Sequence, residues 1–359
     1  MDPELGRPIT DLDMVDQVNI DGGKVTVKIL LTTAGCPLRD TIGKDVKERV
    51  AAIDGVESVE VVMGVMSDEQ KKALREKLTG HQEREIPFNR ADSLTRVIAV
   101  TSGKGGVGKS SITANLAVAF AKQGLKVGVL DADIYGFSIP RMLGVKTQPT
   151  TLDGMIIPPL GAAGVKAISI GMLVPEGQPV IWRGPMLHRA LQQFLADVFW
   201  GDLDILLLDM PPGTGDVAIS IAQLLPKSQI LIVTTPQVAA AEVAERSGSI
   251  ATQTHQQVLG VVENMSHLIQ PDGSRLELFG TGGGAIVAKR LTRMLGYEVP
   301  LVAEVPLELE LRKGGDKGQP LAAEGEGANP ASAAIYQIAR AITEQGRNLV
   351  GIRLGVSPL

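Results

Sequence analysis

The sequence predicts an α/β protein, a doubly wound and mostly parallel sheet preceded by a small α+β domain. Two observations predict it. From residue 96 onward, short continuous apolar runs recur with helical stretches between most of them. Such runs mark parallel strands buried on both faces. Before that point the apolar residues alternate with polar ones instead, as in a half-buried sheet. The expected division is a small α+β domain over 1–80, a linker over 81–95 and a larger domain over 96–359.

The first domain reads as strand, helix, strand, helix. In KVTVKILLTT (24–33), Val25, Val27, Ile29 and Leu31 recur at every second position. RDTIGKDVKERVAAI (39–53) places Ile42, Val46, Val50 and Ile53 at helical spacing. VESVEVVMG (56–64) reads as a second strand. SDEQKKALREKL (67–78) reads as a charged helix, opened by Ser67 with Gln70 three residues on, the pattern of a capping box. TGHQEREIPFNRADS (79–93) is polar and without period, as a linker is.

In the second domain the apolar runs are VIAV (97–100), VGVL (127–130), VKAISI (165–170), ILLL (205–208), ILIV (230–233), LGVV (259–262) and LVAEV (301–305). Residues 111–122 carry Ile112, Leu116, Ala119 and Phe120 on one helical face. GTGGGA (280–285) is a short glycine-rich loop.

Composition excludes several function classes. The chain has 359 residues, with 44% hydrophobic and 21% charged, ordinary values for a globular protein with a full-sized core. A net charge of −5 and 3% aromatics argue against a nucleic-acid partner, which needs basic surface and stacking rings. The opening MDPELGRPITDLD is acidic with no apolar stretch, and no run of 18 apolar residues occurs. Neither a signal peptide nor a membrane span is expected, and the predicted location is cytoplasmic. There is one cysteine, Cys36, too few for an internal disulfide or for a four-cysteine metal site within one chain.

Chemistry concentrates in VIAVTSGKGGVGKSSITANLA (97–117). Gly103 to Ser110 fits G-x-x-x-x-G-K-[ST] between a predicted strand and a predicted helix, the context that identifies a phosphate-binding loop. Glycines let backbone N–H groups wrap phosphate oxygens, and the helix N-terminus adds partial positive charge. Lys109 is expected to reach the β- and γ-phosphates of ATP, and Ser110 to ligate Mg²⁺. The expected cradle is Gly103, Lys104, Gly105, Gly106, Val107, Gly108, Lys109, Ser110 and Ser111. Two further apolar strands end in carboxylates, VGVLDADIYG with Asp131 and Asp133 and DILLLDMPPGTGD with Asp209. Asp209 is expected to hold Mg²⁺ from beside the loop.

A second lysine inside the glycines, Lys104, carries a resemblance. KGGVGKS resembles the deviant Walker A loop of the MinD/ParA/Mrp class of P-loop NTPases. The resemblance implies that Lys104 reaches across a homodimer interface to the partner's nucleotide, where a second cation offsets charge in the transition state as an arginine finger does. It also implies that Asp133 positions the attacking water, that Asp131 joins the Mg²⁺ shell, that the Gly213 N–H meets the γ-phosphate, and that Asn264 reads the adenine.

Further blocks resemble the Mrp/ApbC branch, the iron–sulfur cluster carrier ATPases. They are DADIYGFSIPRMLG, WRGPML (182–187), DMPPGTGD, VTTPQ (233–237), ENMS (263–266) and GDKGQPL (315–321). Through DPEL (2–5) and TTAGCPLRD (32–40), the N-terminal segment resembles the small SufT-like domain often fused to such ATPases. The resemblance implies an ATPase that delivers clusters to apoproteins. The chain departs from the branch in one place. Many members follow ENMS with a C-x-x-C pair that bridges a [4Fe–4S] cluster between subunits, but here Gln270 and Gly273 stand at those positions. Cys36 is the remaining candidate thiolate, and His267 adjoins the lost pair.

The alternative is a nucleotide-switched positioning protein of the MinD or ParA kind, without a cluster. A membrane-targeting tail should be a basic amphipathic helix. In the predicted C-terminal helix ASAAIYQIARAITEQGRNL (331–349), the stretch AIYQIARAI is instead mostly apolar with one Arg, which suits packing on a sheet. A reductase resembling the nitrogenase iron protein needs cysteines from the ATPase domain, and that domain has none.

Overall fold

The structure is a computed structural model that describes residues 2, 5, 7–33, 36, 38–79, 85–134, 136–173, 184–237 and 240–345. In chain order, β1 (Val15–Asp21), β2 (Lys24–Leu31), α1 (Arg39–Ala51), β3 (Ser58–Val65) and α2 (Asp68–Thr79) come first. Then follow β4 (Arg96–Thr101), α3 (Lys109–Lys122), β5 (Val127–Asp131), α4 (Ile139–Met142), β6 (Thr150–Leu152), β7 (Met155–Ile157) and β8 (Lys166–Ser169). Next are α5 (Gly184–Ala196), β9 (Ile205–Asp209), α6 (Asp216–Leu224), β10 (Gln229–Thr234), α7 (Ala240–Thr254) and β11 (Val258–Asn264). The last elements are β12 (Leu268–Ile269), β13 (Arg275–Leu276), α8 (Gly283–Leu295), β14 (Leu301–Val305), α9 (Leu309–Lys317) and α10 (Pro330–Glu344).

The chain divides into two compact units. One comprises 1–85, 147–159 and 197–201, the other 86–146, 160–196 and 202–359. This differs from the expected division. The hairpin of β6 and β7 lies within the range read as the second domain, yet Leu152, Met155 and Ile157 share a core with Val25, Val27, Ile29 and Ile42. Residues 86–95, read as linker, fall in the second unit. Asn89 Nδ2 donates to the Leu224 carbonyl at 2.7 Å, and Thr95 Oγ1 to that of Leu203 at 2.7 Å.

The first unit has a three-stranded sheet in the order β1–β2–β3. β2 and β3 run parallel, with Val25 opposite Val59 and Leu31 opposite Val65, and α1 connects them. The capping box forms as expected: the Ser67 N–H donates to Gln70 Oε1 at 2.9 Å, and the Gln70 N–H to Ser67 Oγ at 3.2 Å. β1 was not expected. It pairs antiparallel with β2 through a turn at Gly22, whose φ is +56°.

The second unit carries a seven-stranded sheet in the order β14–β11–β10–β4–β9–β5–β8, with every pairing parallel. Its strands coincide with the seven apolar runs. Both faces are covered, so alternation is lost and β9 is buried at all five positions. α3 and α10 contact each other, as do α7 and α8. Ile335, Ile338 and Ile342 of α10 are buried with Leu116 and Phe120 of α3, at about 1.5–3 kcal/mol for each fully buried aliphatic side chain. Among the described residues, no helix is long and apolar enough to cross a membrane.

Candidate functional site

In a parallel α/β sheet the ligand crevice opens at the carboxyl ends of the strands. Here the ends of β4, β5, β9, β10 and β11 bring together most of the residues singled out above. The loop after β4 turns through Gly106 at φ +77° and Gly108 at φ +78°, left-handed conformations that suit glycine. Gly108 is the N-cap of α3, and Lys109 is its first residue.

Lys109 and Asp209 form a buried ion pair with Nζ–Oδ1 at 2.8 Å, the side chains 6% and 0% exposed. Asp209 also accepts from Ser110 Oγ at 2.6 Å and from Thr113 Oγ1 at 2.8 Å. Thr113 was not anticipated. It sits one helical turn beyond Lys109, with its hydroxyl also 2.9 Å from the Lys109 carbonyl. A threonine four residues after a P-loop lysine was a readable signal, since i and i+4 share a helix face.

Asp131 stands opposite Asp209 across β5 and β9. It accepts from the N–H of Asp133 at 3.2 Å, Ser138 at 3.0 Å and Ile139 at 3.1 Å. In this conformation its oxygens serve the start of α4, which differs from the metal-shell role expected of it. Burial, and next the Asp209 charge, push the Asp131 carboxyl up to about 7. Asp133 is half-buried two residues on.

Asp131, Asp209 and Lys109 are all buried, and only Asp209 pairs with the ammonium. The hard oxygen donors of Ser110 and Asp209 fit a small divalent cation such as Mg²⁺, which takes one or two protein oxygens and completes its shell elsewhere. Among the described residues no group of three His, Cys, Asp or Glu side chains is placed to hold a metal ion.

The Gly213 N–H, expected to face a phosphate, donates here to the Ser102 carbonyl at 2.9 Å. The Lys104 ammonium, expected to point to a partner, donates to the side-chain carbonyl of Gln237 just beyond β10. Asn264, at the end of β11, donates from Nδ2 to the Val107 carbonyl at 2.8 Å, while its buried Oδ1 has no hydrogen-bond partner. That orphaned acceptor, beside the P-loop, suits a donor from a ligand.

Glu263, one residue earlier, accepts from the Gly284 N–H at 2.5 Å at the start of α8, and burial raises its carboxyl. A Cβ on Gly283 would lie 2.5 Å from the Thr235 carbonyl. The glycine-rich loop thus lets a helix abut two strand ends.

Gln270 and Gly273 close a hairpin turn between β12 and β13. The Gly273 N–H donates to the Gln270 carbonyl at 2.9 Å, and the Gln270 N–H to that of Ser274 at 2.9 Å. QPDGS is a turn signature in the sequence, and the hairpin was readable from it. Cys36 is half-buried against the core of the first unit. Residues 182 and 183 of WRGPML, residues 3 and 4 of DPEL, and residues 34, 35 and 37 of TTAGCPLRD lie outside the described residues.

A family model described as a NUBPL iron-transfer P-loop NTPase matches residues 93–343, and one described as an iron–sulfur cluster assembly protein matches residues 1–61. A protein of Mycobacterium leprae named iron–sulfur cluster carrier protein is 56% identical over 360 residues, spanning all of this chain and 94% of its own length. One of the same name from Synechocystis is 41% identical, over 98% of this chain and 94% of its own. Among solved structures, a nucleotide-binding protein of Archaeoglobus fulgidus in complex with ADP is 40% identical, with a TM-score of 0.56 over 66% of this chain and 92% of its own. The cell division ATPase MinD of Pyrococcus furiosus shares the fold at 22% identity and TM-score 0.50, over 70% of this chain and 99% of its own.

Proposed function

From the premise that the chain belongs to the NUBPL iron-transfer P-loop NTPase family, we propose that it is an ATP-binding and ATP-hydrolysing carrier that delivers iron–sulfur clusters to apoproteins, acting as a homodimer. The observation that carries the reading is the buried Lys109–Asp209 pair, joined by the half-buried Ser110 hydroxyl, at the phosphate loop. The first unit belongs to this reading as a SufT-like assembly module, and the second unit as the ATPase.

Each residue has a part. Lys109 leaves Asp209 for the β- and γ-phosphates of ATP, which the loop from Gly103 to Ser111 surrounds with N–H groups. Ser110 and Asp209 hold Mg²⁺, which when bound neutralises phosphate charge. Asp133 orients the attacking water, and Lys104 serves the neighbouring subunit's nucleotide. The Gly213 N–H exchanges the Ser102 carbonyl for the γ-phosphate. Asn264 Oδ1 accepts from the adenine amino group. Asp131 supports the Mg²⁺ side of the site while it fixes α4.

The cluster is cargo, and the chain contributes few ligands to it. A [4Fe–4S] cluster is held by four thiolates, one chain has one cysteine, and Gln270 and Gly273 are committed to a turn. Cys36 and ligands from outside the chain therefore complete the shell, and the cluster is held weakly. Anaerobic reconstitution with iron and sulfide, followed by the absorbance spectrum, tests this. A cluster that forms, is labile to chelators and disappears in Cys36→Ser supports the assignment. A cluster unchanged by Cys36→Ser contradicts it.

A further inference from the structure

Lys104 is held at both ends. Ser102 Oγ donates to the Lys104 carbonyl at 3.0 Å, and the Lys104 ammonium donates to Gln237 Oε1. Gln237 follows β10, which is hydrogen-bonded to β4, the strand that feeds the phosphate loop. Arg246 of α7 approaches the Gly103 carbonyl at 3.5 Å. The chain just after β10 thus braces the first residues of the loop.

The acceptor's chemistry matters. A lysine side chain carries about 2 kcal/mol of rotamer freedom, and an unbraced loop lysine samples many positions. A carboxylate would fix the ammonium but would also cancel much of its charge toward a third group. An amide carbonyl fixes it and leaves the full positive charge available to an anion.

We propose that Gln237 is a positioning residue for Lys104. It restricts the ammonium to the orientation from which that cation meets the triphosphate of the neighbouring subunit, and so it sets turnover without contributing to nucleotide affinity. This rests on the reading of Lys104 as the cation that acts in trans.

The test is steady-state Mg-ATP hydrolysis by the full chain and by four variants: Gln237→Ala, Gln237→Glu, Lys104→Ala, and Lys104→Ala with Gln237→Ala. Gln237→Ala is expected to lower kcat about tenfold with KM and Tm unchanged, the mark of an effect confined to the transition state. Gln237→Glu, equal in size but anionic, is expected to lower kcat further, and rising salt should relieve part of that loss. The double variant should be no slower than Lys104→Ala alone, because Gln237 acts through the lysine. Wild-type kcat in Gln237→Ala, or losses that multiply in the double variant, would overturn the proposal while leaving the role of Lys104 intact. Wild-type turnover by Lys104→Ala would overturn the underlying reading of the lysine, and the proposal with it.

Discussion

Asp131 and Asp209 are register partners on adjacent strands, both sealed from solvent, yet they serve different neighbours. Asp209 gathers Lys109, Ser110 and Thr113 from the phosphate loop and the helix behind it. Asp131 gathers the backbone N–H groups that open α4. Two like charges this deep raise the cost of ionising both.

That cost gives stability a pH dependence. Asp131 is pushed from 3.8 up to about 7, first by burial and then by Asp209. Between those values the folded chain holds a proton that the unfolded chain has lost. This carboxyl's contribution to stability therefore falls as pH rises across the window and is constant above it. In denaturant unfolding without nucleotide, wild type minus Asp131→Asn is expected to be smaller at pH 8 than at pH 5. An equal difference at both pH values would show that Asp131 titrates as an ordinary carboxylate.

Removing the lysine of the buried pair should be costly in two ways. Lys109→Ala leaves Asp209 buried beside Asp131 with hydroxyl donors alone, and breaking a buried pair from one side costs about 3–5 kcal/mol. Adding Asp209→Asn to the same chain should recover much of that loss. Hydrolysis should vanish in both variants. Normal turnover by Lys109→Ala would refute the phosphate-loop assignment.

A trans role for Lys104 predicts its own signature. Lys104→Ala should suppress hydrolysis to a low but measurable rate and Asp133→Ala should abolish it, and their mixture should hydrolyse faster than either alone through heterodimers in which one site is intact. Heterodimers shown to form but no faster than Lys104→Ala at every mixing ratio would contradict it.

Gly108 and Asn264 should be mutually dependent. A Cβ on Gly108 would lie 2.3 Å from Asn264 Nδ2, and φ there is +78°. Gly108→Ala should displace the amide from the Val107 carbonyl and strain the loop, weakening ATP binding by about tenfold or more, as the loss of a buried hydrogen bond together with backbone strain implies. Asn264→Ala should weaken ATP more than GTP in titration calorimetry. An unchanged ATP-to-GTP ratio would remove Asn264 from base recognition.

Much of the fold was legible because parallel strands buried on both faces leave unbroken apolar runs, and all seven runs became strands of the larger sheet. The capping box of Ser67 and Gln70 was legible because it is local chemistry. β1 was not, because six of its seven residues are exposed and an edge strand without a buried face shows no alternation. Nor was the membership of β6 and β7 in the first unit, which depends on packing between segments far apart in sequence. In the site, the positions of Lys109, Ser110 and Asp209 followed from a motif. The bonds from Lys104 to Gln237 and from Asn264 to Val107 join segments that no spacing rule connects. They emerge when strand order brings those segments together.

The central claim is that ATP hydrolysis at this site serves the delivery of an iron–sulfur cluster. The most direct measurement is cluster transfer under anaerobic conditions from the reconstituted chain to an apoprotein whose activity returns with its cluster. The wild type should activate the apoprotein, and ATP should change the rate, whereas in Lys109→Ala the rate should not respond to ATP. A wild-type chain that takes up no iron–sulfur cluster, or one whose transfer rate is the same with and without ATP, would contradict the account.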